Sequence, residues 1–248
     1  MPIKTAEPIV DLSRKTLLIF GSPKVGKSTF AASFPGATFL ATEAGLNDLT
    51  CNRYEYPDGR YVISSWDELL AATAELVTAG VKMIVLDTCD NAYAMCEQHV
   101  CAKFGVEYKT DDKLSFGKGS SIINGEFKRY LTKLSSLGLG LILTSHATQE
   151  QRDTRMGKVA VSVPTIPDKI RPTITGMVDM ILYCDARMAA DGVTVERVIH
   201  SKPNPFFEAG DRTGRLPEVL PLNYQAFAAA YNLYKPTTEN ATNKKETK

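Results

Sequence analysis

The sequence lacks any apolar run near the ~20 residues that cross a bilayer, and its first residues lack the apolar core of a signal peptide. Its five cysteines are odd in number and irregular in spacing, which excludes a disulfide framework and indicates free thiols. It also lacks an excess of either charge, because 29 basic residues face 28 acidic ones. We therefore expect a globular protein of a reducing compartment, in the cytoplasm (of the host cell, if a phage encodes it).

A zinc site is not expected. Cys96, His99 and Cys101 lie close together, but their spacing matches no common zinc pattern and no second Cys/His pair is near. We interpret them as three residues of one helix. The chain also has no internal repeat.

The most specific motif is "GSPKVGKS" at residues 21–28, which satisfies the phosphate-loop (P-loop) pattern in full. The apolar run 16–20 precedes it, and a helix to about residue 34 is predicted after it. Glycines let backbone N–H groups converge on phosphate oxygens, Lys27 reaches the β/γ-phosphates and Ser28 joins the Mg²⁺ shell. The motif predicts ATP and Mg²⁺ as ligands, with nucleotide contacts from Gly21, Ser22, Pro23, Lys24, Val25, Gly26, Lys27, Ser28 and Thr29.

Apolar runs alternate with helical patterns along most of the chain. Such alternation predicts an α/β fold with a parallel sheet. The predicted strands after the P-loop are 37–42, 60–64, 81–87 and 139–145, and the predicted helices are 65–80, 89–104 and 119–137. Ser65 and Glu68 form a capping box at the start of one of these helices.

The C-terminal part has a different pattern. Residues 147–176 show no clear periodicity and are predicted as a long, functional loop. The runs 177–185 and 193–201 flank Asp191-Gly192, which predicts an antiparallel hairpin. A last helix is predicted at 224–234. We expect an N-terminal arm (1–14), one ATPase domain (15–235) and a disordered tail (236–248).

Two acidic residues are candidates to act on the bound nucleotide. Asp87 ends the most apolar strand, so its carboxylate should emerge beside the P-loop and hold Mg²⁺ together with Ser28. Thr88 follows it, so the base that activates water must come from elsewhere. Glu43, after the second strand, and Asp90 are the alternatives, and the chemistry alone does not choose between them.

The P-loop, "ATEAGL", "IVLDT" and the polar end of "LILTSH" together resemble the RecA-type ATPase core. The short length and "SKPNPFFEAGDRTGRLP" (201–217) resemble phage RecA-like nucleotide-binding proteins, which include the RecA-like branch of the Sak single-strand annealing proteins. The resemblance covers about residues 15–220. It implies a RecA-like fold, Glu43 as the catalytic base, and ATP hydrolysis that is slow and stimulated by single-stranded DNA.

The resemblance also implies partners and further site residues. The expected partners are single-stranded DNA, other copies of the chain in a ring or filament, and a single-strand-binding protein, in phage-type recombination or annealing. His146 stands where RecA has a γ-phosphate-sensing Gln, and it can donate the same hydrogen bond. The flanking domains of full-length RecA are absent, which puts autonomous strand exchange in doubt.

By position, the DNA-binding loops of this family correspond to residues 105–118 and 147–176. The second has five basic and three acidic residues, and its expected DNA contacts are Arg152, Arg155 and Lys158. The first balances three lysines against three acids. Tyr108 and Phe116 are candidates to stack on bases, or equally to pack inward.

A cation from a neighbouring subunit is expected to complete the site. Lys202 is the first candidate and Arg215 the second, because both lie in the proline- and glycine-rich segment after a strand. The alternative is that Asp211 and Arg212 only pair within that segment. Two other functions stay open: a motor or loader that acts on protein partners, and a small-molecule kinase with an arginine-rich lid.

Overall fold

The computed structural model describes residues 9–154 and 157–233. The predicted tail and most of the predicted arm lie outside these ranges. At the N-terminal end of the described chain, Asp11 caps a short 3₁₀ helix, Leu12–Arg14, and Leu12 is buried in the core. No helix within the described ranges is long and apolar enough to cross a membrane.

In these described ranges the chain forms ten strands and six α-helices. The strands are β1 (Thr16–Gly21), β2 (Ala37–Ala41), β3 (Asn52–Arg53), β4 (Met83–Asp87), β5 (Gly140–Thr154), β6 (Gly157–Pro164), β7 (Met180–Met188), β8 (Val195–His200), β9 (Gly210–Asp211) and β10 (Val219–Pro221). The helices are α1 (Lys27–Ala32), α2 (Trp66–Thr78), α3 (Cys89–Phe104), α4 (Lys118–Ser136), α5 (Arg171–Met177) and α6 (Tyr224–Leu233). A second 3₁₀ helix covers Asp112–Leu114.

The sheet has the strand order β10-β8-β7-β1-β5-β4-β2-β3. The strands from β7 to β3 run parallel, whereas β8 and β10 are antiparallel additions at one side. Strand β6 pairs with β5, and β9 pairs with the start of β7. This arrangement confirms the predicted α/β class with an antiparallel C-terminal extension.

Helices cover both faces of the sheet because its central strands alternate buried side chains between two cores. Leu18 of β1 belongs to the core under α2, α3, α4 and α5, where Trp66 and Phe127 also pack. Leu17 and Ile19 belong to the opposite core, with Phe30 of α1 and Phe227 of α6. An unbroken apolar run is therefore what a strand buried on both faces requires.

The sheet topology brings four parts of the predicted site to one edge. Strand β5 lies between β1 and β4, and Gly21 is level with His146 across the β1–β5 pair. Asp87 is level with Ala41, two residues before Glu43, across the β2–β4 pair. Parallel strands end at the same edge, so the P-loop, Asp87, Glu43 and His146 all lie there.

Several elements match their predictions closely. Helix α3 has the predicted bounds, and α4 is shifted by one residue from its prediction. The Ser65 hydroxyl caps α2 by accepting a hydrogen bond from the Glu68 N–H. The hairpin of β7 and β8 turns at Asp191 and Gly192, and the Asp191 carboxylate accepts hydrogen bonds from the N–H groups of Val193 and Thr194.

The predicted strand at 60–64 is wrong. Only Val62 pairs there, in a single bridge to Ala41. A tight turn precedes it, in which the Tyr56 N–H donates to the Arg60 carbonyl, and the short β3 occupies the neighbouring part of the β2 edge. Two short segments share this edge, so neither forms a long strand.

The prediction of a loop at 147–176 is also wrong. Strand β5 continues to Thr154 and pairs with β6 from Ala147↔Pro164 to Thr154↔Gly157. We call this pair the ribbon. Its side chains are mostly half-exposed or exposed, so the apolar signal is weak, although the valines at 159, 161 and 163 alternate as a strand requires. Helix α5 occupies much of the rest.

Candidate functional site

The P-loop adopts a conformation that needs its glycines. Gly26 has φ +112° and Lys24 has φ +63°, both in the left-handed region. A side chain at Gly21 would place a Cβ 2.3 Å from the Cys184 carbonyl of β7. The second and third residues of the loop are exposed, and the backbone of Gly26 caps α1 without a side-chain hydrogen bond.

Lys27 is held inside the loop. Its Nζ donates hydrogen bonds to the carbonyls of Gly21 at 2.9 Å and Ser22 at 3.0 Å. Burial lowers the pKa of Lys27, while Asp87, Asp90 and Glu43 act in the opposite direction. The ammonium therefore already points into the concave side of the loop, where phosphate oxygens can replace the two carbonyls.

Ser28 and Asp87 meet as the sequence predicts. The Ser28 hydroxyl donates to Asp87 Oδ2 at 2.8 Å, and the Thr144 hydroxyl of β5 donates to Oδ1. Asp87 is only 4% exposed. Burial raises its pKa, although both hydroxyls stabilise the charged form.

A reciprocal pair of threonines joins the ends of β2 and β4. The Thr88 N–H donates to Thr42 Oγ1 at 2.8 Å, and the Thr42 hydroxyl donates to the Thr88 carbonyl at 3.0 Å. The Thr42 N–H also donates to the Asp87 carbonyl at 2.7 Å. These bonds fix the backbone directly before Glu43 against the backbone of Asp87.

Glu43 has two polar neighbours. The Asn91 amide donates to Glu43 Oε2 at 3.2 Å, and His146 Nε2 lies 3.6 Å from the same oxygen. Both side chains remain partly exposed, at 39% for Glu43 and 34% for His146. Glu43 is thus oriented near Asp87 and still open to water, as a general base must be.

Asp90, the alternative base, accepts hydrogen bonds from two residues of β5. Its Oδ1 accepts the Ser145 hydroxyl at 2.6 Å and its Oδ2 accepts the His146 N–H at 2.8 Å. Burial raises the pKa of Asp90, while both of these hydrogen bonds act to lower it. Its position favours a role in anchoring the end of β5, which leaves Glu43 as the better-placed base.

Sequence reasoning missed Asn91, Thr42 and Thr144 as parts of this site. Thr42 and Thr144 are polar residues at the ends of buried apolar strands, and that position is the available signal. Asn91 carries no such signal, because its contact with Glu43 depends on the packing of α3 beside β2.

The residues fit a nucleotide with Mg²⁺. Magnesium in such sites is held by one or two protein oxygens together with substrate phosphates. Ser28 Oγ and Asp87 Oδ2 form such a pair, and the described residues contain no cluster of three acidic, His or Cys ligands that would hold a metal alone. Ser28 and Asp87 would hold the ion, which would neutralise charge on the β- and γ-phosphates.

The two predicted trans-acting cations are engaged within their own chain. Lys202 Nζ lies 3.5 Å from Asp211 Oδ2, and the Arg215 guanidinium packs over the Tyr231 ring at 5.2 Å. Arg212 does not pair with Asp211, since it donates to the Gly176 carbonyl. The trans role of Lys202 or Arg215 stays a prediction.

The direction of β8 limits that prediction. Strand β8 runs antiparallel to β7. Asp211 of β9 pairs with Met180 at the start of β7, which is level with Leu17 of β1. The segment that contains Lys202 therefore leads away from the P-loop of its own chain. A role for Lys202 requires the site of a different subunit.

The two predicted DNA contacts that the structure describes, Arg152 and Lys158, lie on the ribbon but are not equally available. Arg152 is exposed and pairs with Glu208 and Glu150. Lys158 is exposed near the ribbon tip, and Arg155 lies outside the described residues. Arg171 is 8% exposed and bonds Glu150 and Asp168, so it fastens the ribbon to α5.

The aromatic side chains of the 105–118 segment point outward. Tyr108 is 64% exposed and Phe116 is fully exposed, with φ +54°. Lys109 in the same segment pairs with Glu97 at 2.7 Å. The alternative that these two rings pack inward is therefore wrong.

Comparison with known proteins follows this geometry. A family model described as an AAA domain matches residues 13–213, which is most of the chain. The SPbeta prophage-derived uncharacterized protein YorG of Bacillus subtilis (strain 168) is 23% identical over 194 residues, covering 76% of this chain. The match covers 54% of that protein, so the chain spans about half the length of this relative.

Among solved structures, a KaiC-like protein of the hyperthermophilic archaeon Pyrococcus horikoshii is similar to the chain. The sequences are 16% identical, the TM-score is 0.45, and the match covers 76% of this chain and 78% of the other.

Proposed function

The chain belongs to the AAA domain family, and we propose that this P-loop ATPase domain uses ATP as a switch that controls its grip on single-stranded DNA. The reaction is hydrolysis of the terminal phosphate, and the biological setting is phage-type recombination or single-strand annealing. Self-assembly into a ring or filament accompanies it. The prophage origin of the relative YorG supports the setting.

The chemistry of hydrolysis follows from the site. Lys27 and the P-loop N–H groups would bind the phosphates, and Ser28 and Asp87 would hold Mg²⁺, which neutralises phosphate charge. Glu43 would accept a proton from the attacking water, and its hydrogen bond from Asn91 supports this role.

The observation that carries the switch is the continuity of β5. One strand contains Thr144, which bonds Asp87, and His146, which lies beside Glu43, and it then runs on to the ribbon tip. A change of contacts at the phosphate end therefore acts directly on the base of the ribbon. The ribbon and the exposed rings of Tyr108 and Phe116 are the proposed DNA-binding surface.

A second candidate is a nucleotide-driven motor or loader that acts on a protein. The internal pairing of Arg152 with Glu208 and Glu150 favours it, because paired cations contribute less to binding a phosphate backbone. A kinase with an arginine lid is disfavoured, since Arg171 is buried in bonds to Glu150 and Asp168.

The test is fluorescence anisotropy of labelled single-stranded DNA with ATP, with ADP and without nucleotide, together with ATPase rates with and without DNA. We expect tighter binding with ATP, a fall in affinity with salt, and a faster ATPase. Joint replacement of Arg152, Arg155 and Lys158 by Ala should weaken binding. The matched control removes three cations from α4, namely Lys128, Arg129 and Lys133.

Two results would contradict the proposal. The first is an ATPase that turns over normally while no DNA binds at low salt with any nucleotide, which leaves the protein-partner motor as the better function. The second is equal loss of DNA binding in the ribbon variant and the α4 control, since the contacts would then not be specific to the ribbon.

A further inference from the structure

Arg197 lies beside the P-loop, although it is distant in sequence. Its NH1 atom is 3.6 Å from the point where a Cβ of Gly26 would be, and Leu222 Cδ2 is 3.3 Å from that point. The side chain of Arg197 is exposed. The Leu222 N–H donates to the Arg197 carbonyl at 2.9 Å, which fixes the backbone at this position.

The direction of β8 explains this position. Cys184 is level with Gly21 across one strand pair and with Ile199 across the next. Because β8 is antiparallel, Arg197, two residues before Ile199, lies beyond this level on the P-loop side. Ile199 shares its face with Arg197 and packs in the same core as Phe30 of α1, so the guanidinium is on the face that carries the loop and its helix.

The sheet order gives the polarity of a bound nucleotide. Asp87, the last residue of β4, and Glu43, which follows β2, lie on one side of β1 and would act at the γ-phosphate end of ATP. Arg197 is on β8, on the other side of β1. If the γ-phosphate of ATP lies at Asp87 and the β-phosphate lies in the P-loop, the α-phosphate lies on the side of β8.

We propose that Arg197 binds the α-phosphate end of the nucleotide. The guanidinium lies beside Gly26, the residue directly before Lys27, so a phosphate held in the loop would give it an anionic partner. Among the described residues, Arg197 has no ion pair with a carboxylate, whereas its neighbours Arg187 and Glu196 pair with each other at 2.6 Å. The inference rests on the proposed use of the P-loop for ATP and adds a phosphate contact that the motif does not contain.

The α-phosphate is common to ATP and ADP, so Arg197 has a signature that γ-phosphate contacts lack. Arg197→Ala should lower the affinities for ATP and for ADP by the same factor, about 10- to 100-fold, as expected for the loss of one charge-assisted hydrogen bond. Inorganic tripolyphosphate should lose affinity by a similar factor. Arg197→Lys, which keeps the charge but not the fork, should recover part of the loss.

The experiment is calorimetric titration of the full chain with ADP, a non-hydrolysable ATP analogue and tripolyphosphate. Arg187→Ala is the matched control, because it removes an exposed arginine from the adjacent strand, and its affinities should equal those of the unchanged protein. Circular dichroism melting without nucleotide verifies that each variant is folded. Lys27→Ala tests the P-loop itself.

The outcomes separate the two proposals. If the unchanged protein binds no nucleotide, the ATPase function and the Arg197 contact both fail. If it binds and Arg197→Ala binds within twofold, only the Arg197 contact fails. If Arg197→Ala loses affinity for the ATP analogue only, Arg197 contacts the γ-phosphate. If its affinity for tripolyphosphate is unchanged, Arg197 contacts the nucleoside. Either result overturns the inference.

Discussion

Replacement of Asp87 by Asn should stabilise the protein without nucleotide while it removes the response to Mg²⁺. The carboxylate is 4% exposed, and burial raises its pKa above the ordinary value. The folded state therefore binds this proton more tightly than the unfolded chain does. The cost of ionisation appears as pH rises from the unfolded pKa through the folded pKa.

The size of the effect follows from the contacts. Ser28 and Thr144 are hydroxyls, so each can donate to or accept from an amide, and Asn keeps both hydrogen bonds without the buried charge. We expect a gain of about 1–2 kcal/mol in the free energy of unfolding, the low end for replacement of buried charged groups. For a domain of this size each kcal/mol raises Tm by about 2–4 °C.

Asp211 offers a matched control of opposite sign. Its side chain is fully buried, and burial acts to raise its pKa, but hydrogen bonds from Thr213 and the Leu216 N–H, together with Lys202, lower it overall. Such a group stabilises the fold above its unfolded pKa, and that contribution is lost as pH falls through its folded pKa. Asp211→Asn should therefore cost about 1–3 kcal/mol at neutral pH.

The assay is urea denaturation and thermal melting of both variants, each with ATP plus Mg²⁺ and with ATP plus EDTA. A ligand at 100 times its Kd stabilises by about 2.7 kcal/mol, and this gain should depend on Mg²⁺ in the unchanged protein but not in Asp87→Asn. The reasoning is refuted if Asp87→Asn lowers the free energy of unfolding, or if both Asn variants shift it in the same direction.

Two further predictions concern catalysis. Glu43→Gln should keep ATP bound and slow hydrolysis by ~10²–10⁴-fold, and Asn91→Ala should give a smaller fall in kcat with ATP affinity unchanged; a normal rate in Glu43→Gln would assign the base elsewhere. Lys202→Ala and Lys27→Ala subunits should each be poorly active, and mixing them should restore activity if Lys202 acts in the site of a neighbour. A trans-acting cation contributes ~10³–10⁵-fold, so the absence of recovery in verified mixed oligomers would contradict that role.

Much of the site follows from local sequence. The P-loop motif consists of consecutive residues, so its glycines, Lys27 and Ser28 can be recognised from the sequence alone, and the motif also predicts the helix that follows it. Asp87 and Glu43 follow apolar runs, and parallel strands end at one edge, so their convergence needed no further information. Their assigned roles are predictions that the experiments above test.

The failures come from pairing that depends on partners far along the chain. The ribbon was predicted as a loop because each of its strands is stabilised mainly by the other, and half-exposed strands carry few apolar residues. The run "RYVIS" predicts a strand at 60–64, and Tyr61 and Ile63 are indeed buried, yet β3 already occupies part of the edge that this strand would need.

The sequence by itself determined the fold class, the P-loop and the candidate residues at the strand ends, because each depends on consecutive residues and on a general rule of parallel sheets. Tertiary structure alone decided that Asn91 contacts Glu43, that Lys202 leads away from its own P-loop and that Arg197 lies beside Gly26. The first of these facts depends on the packing of α3, and the other two depend on strand direction and register, which are set by long-range pairing and cannot be recognised from the neighbouring residues in sequence.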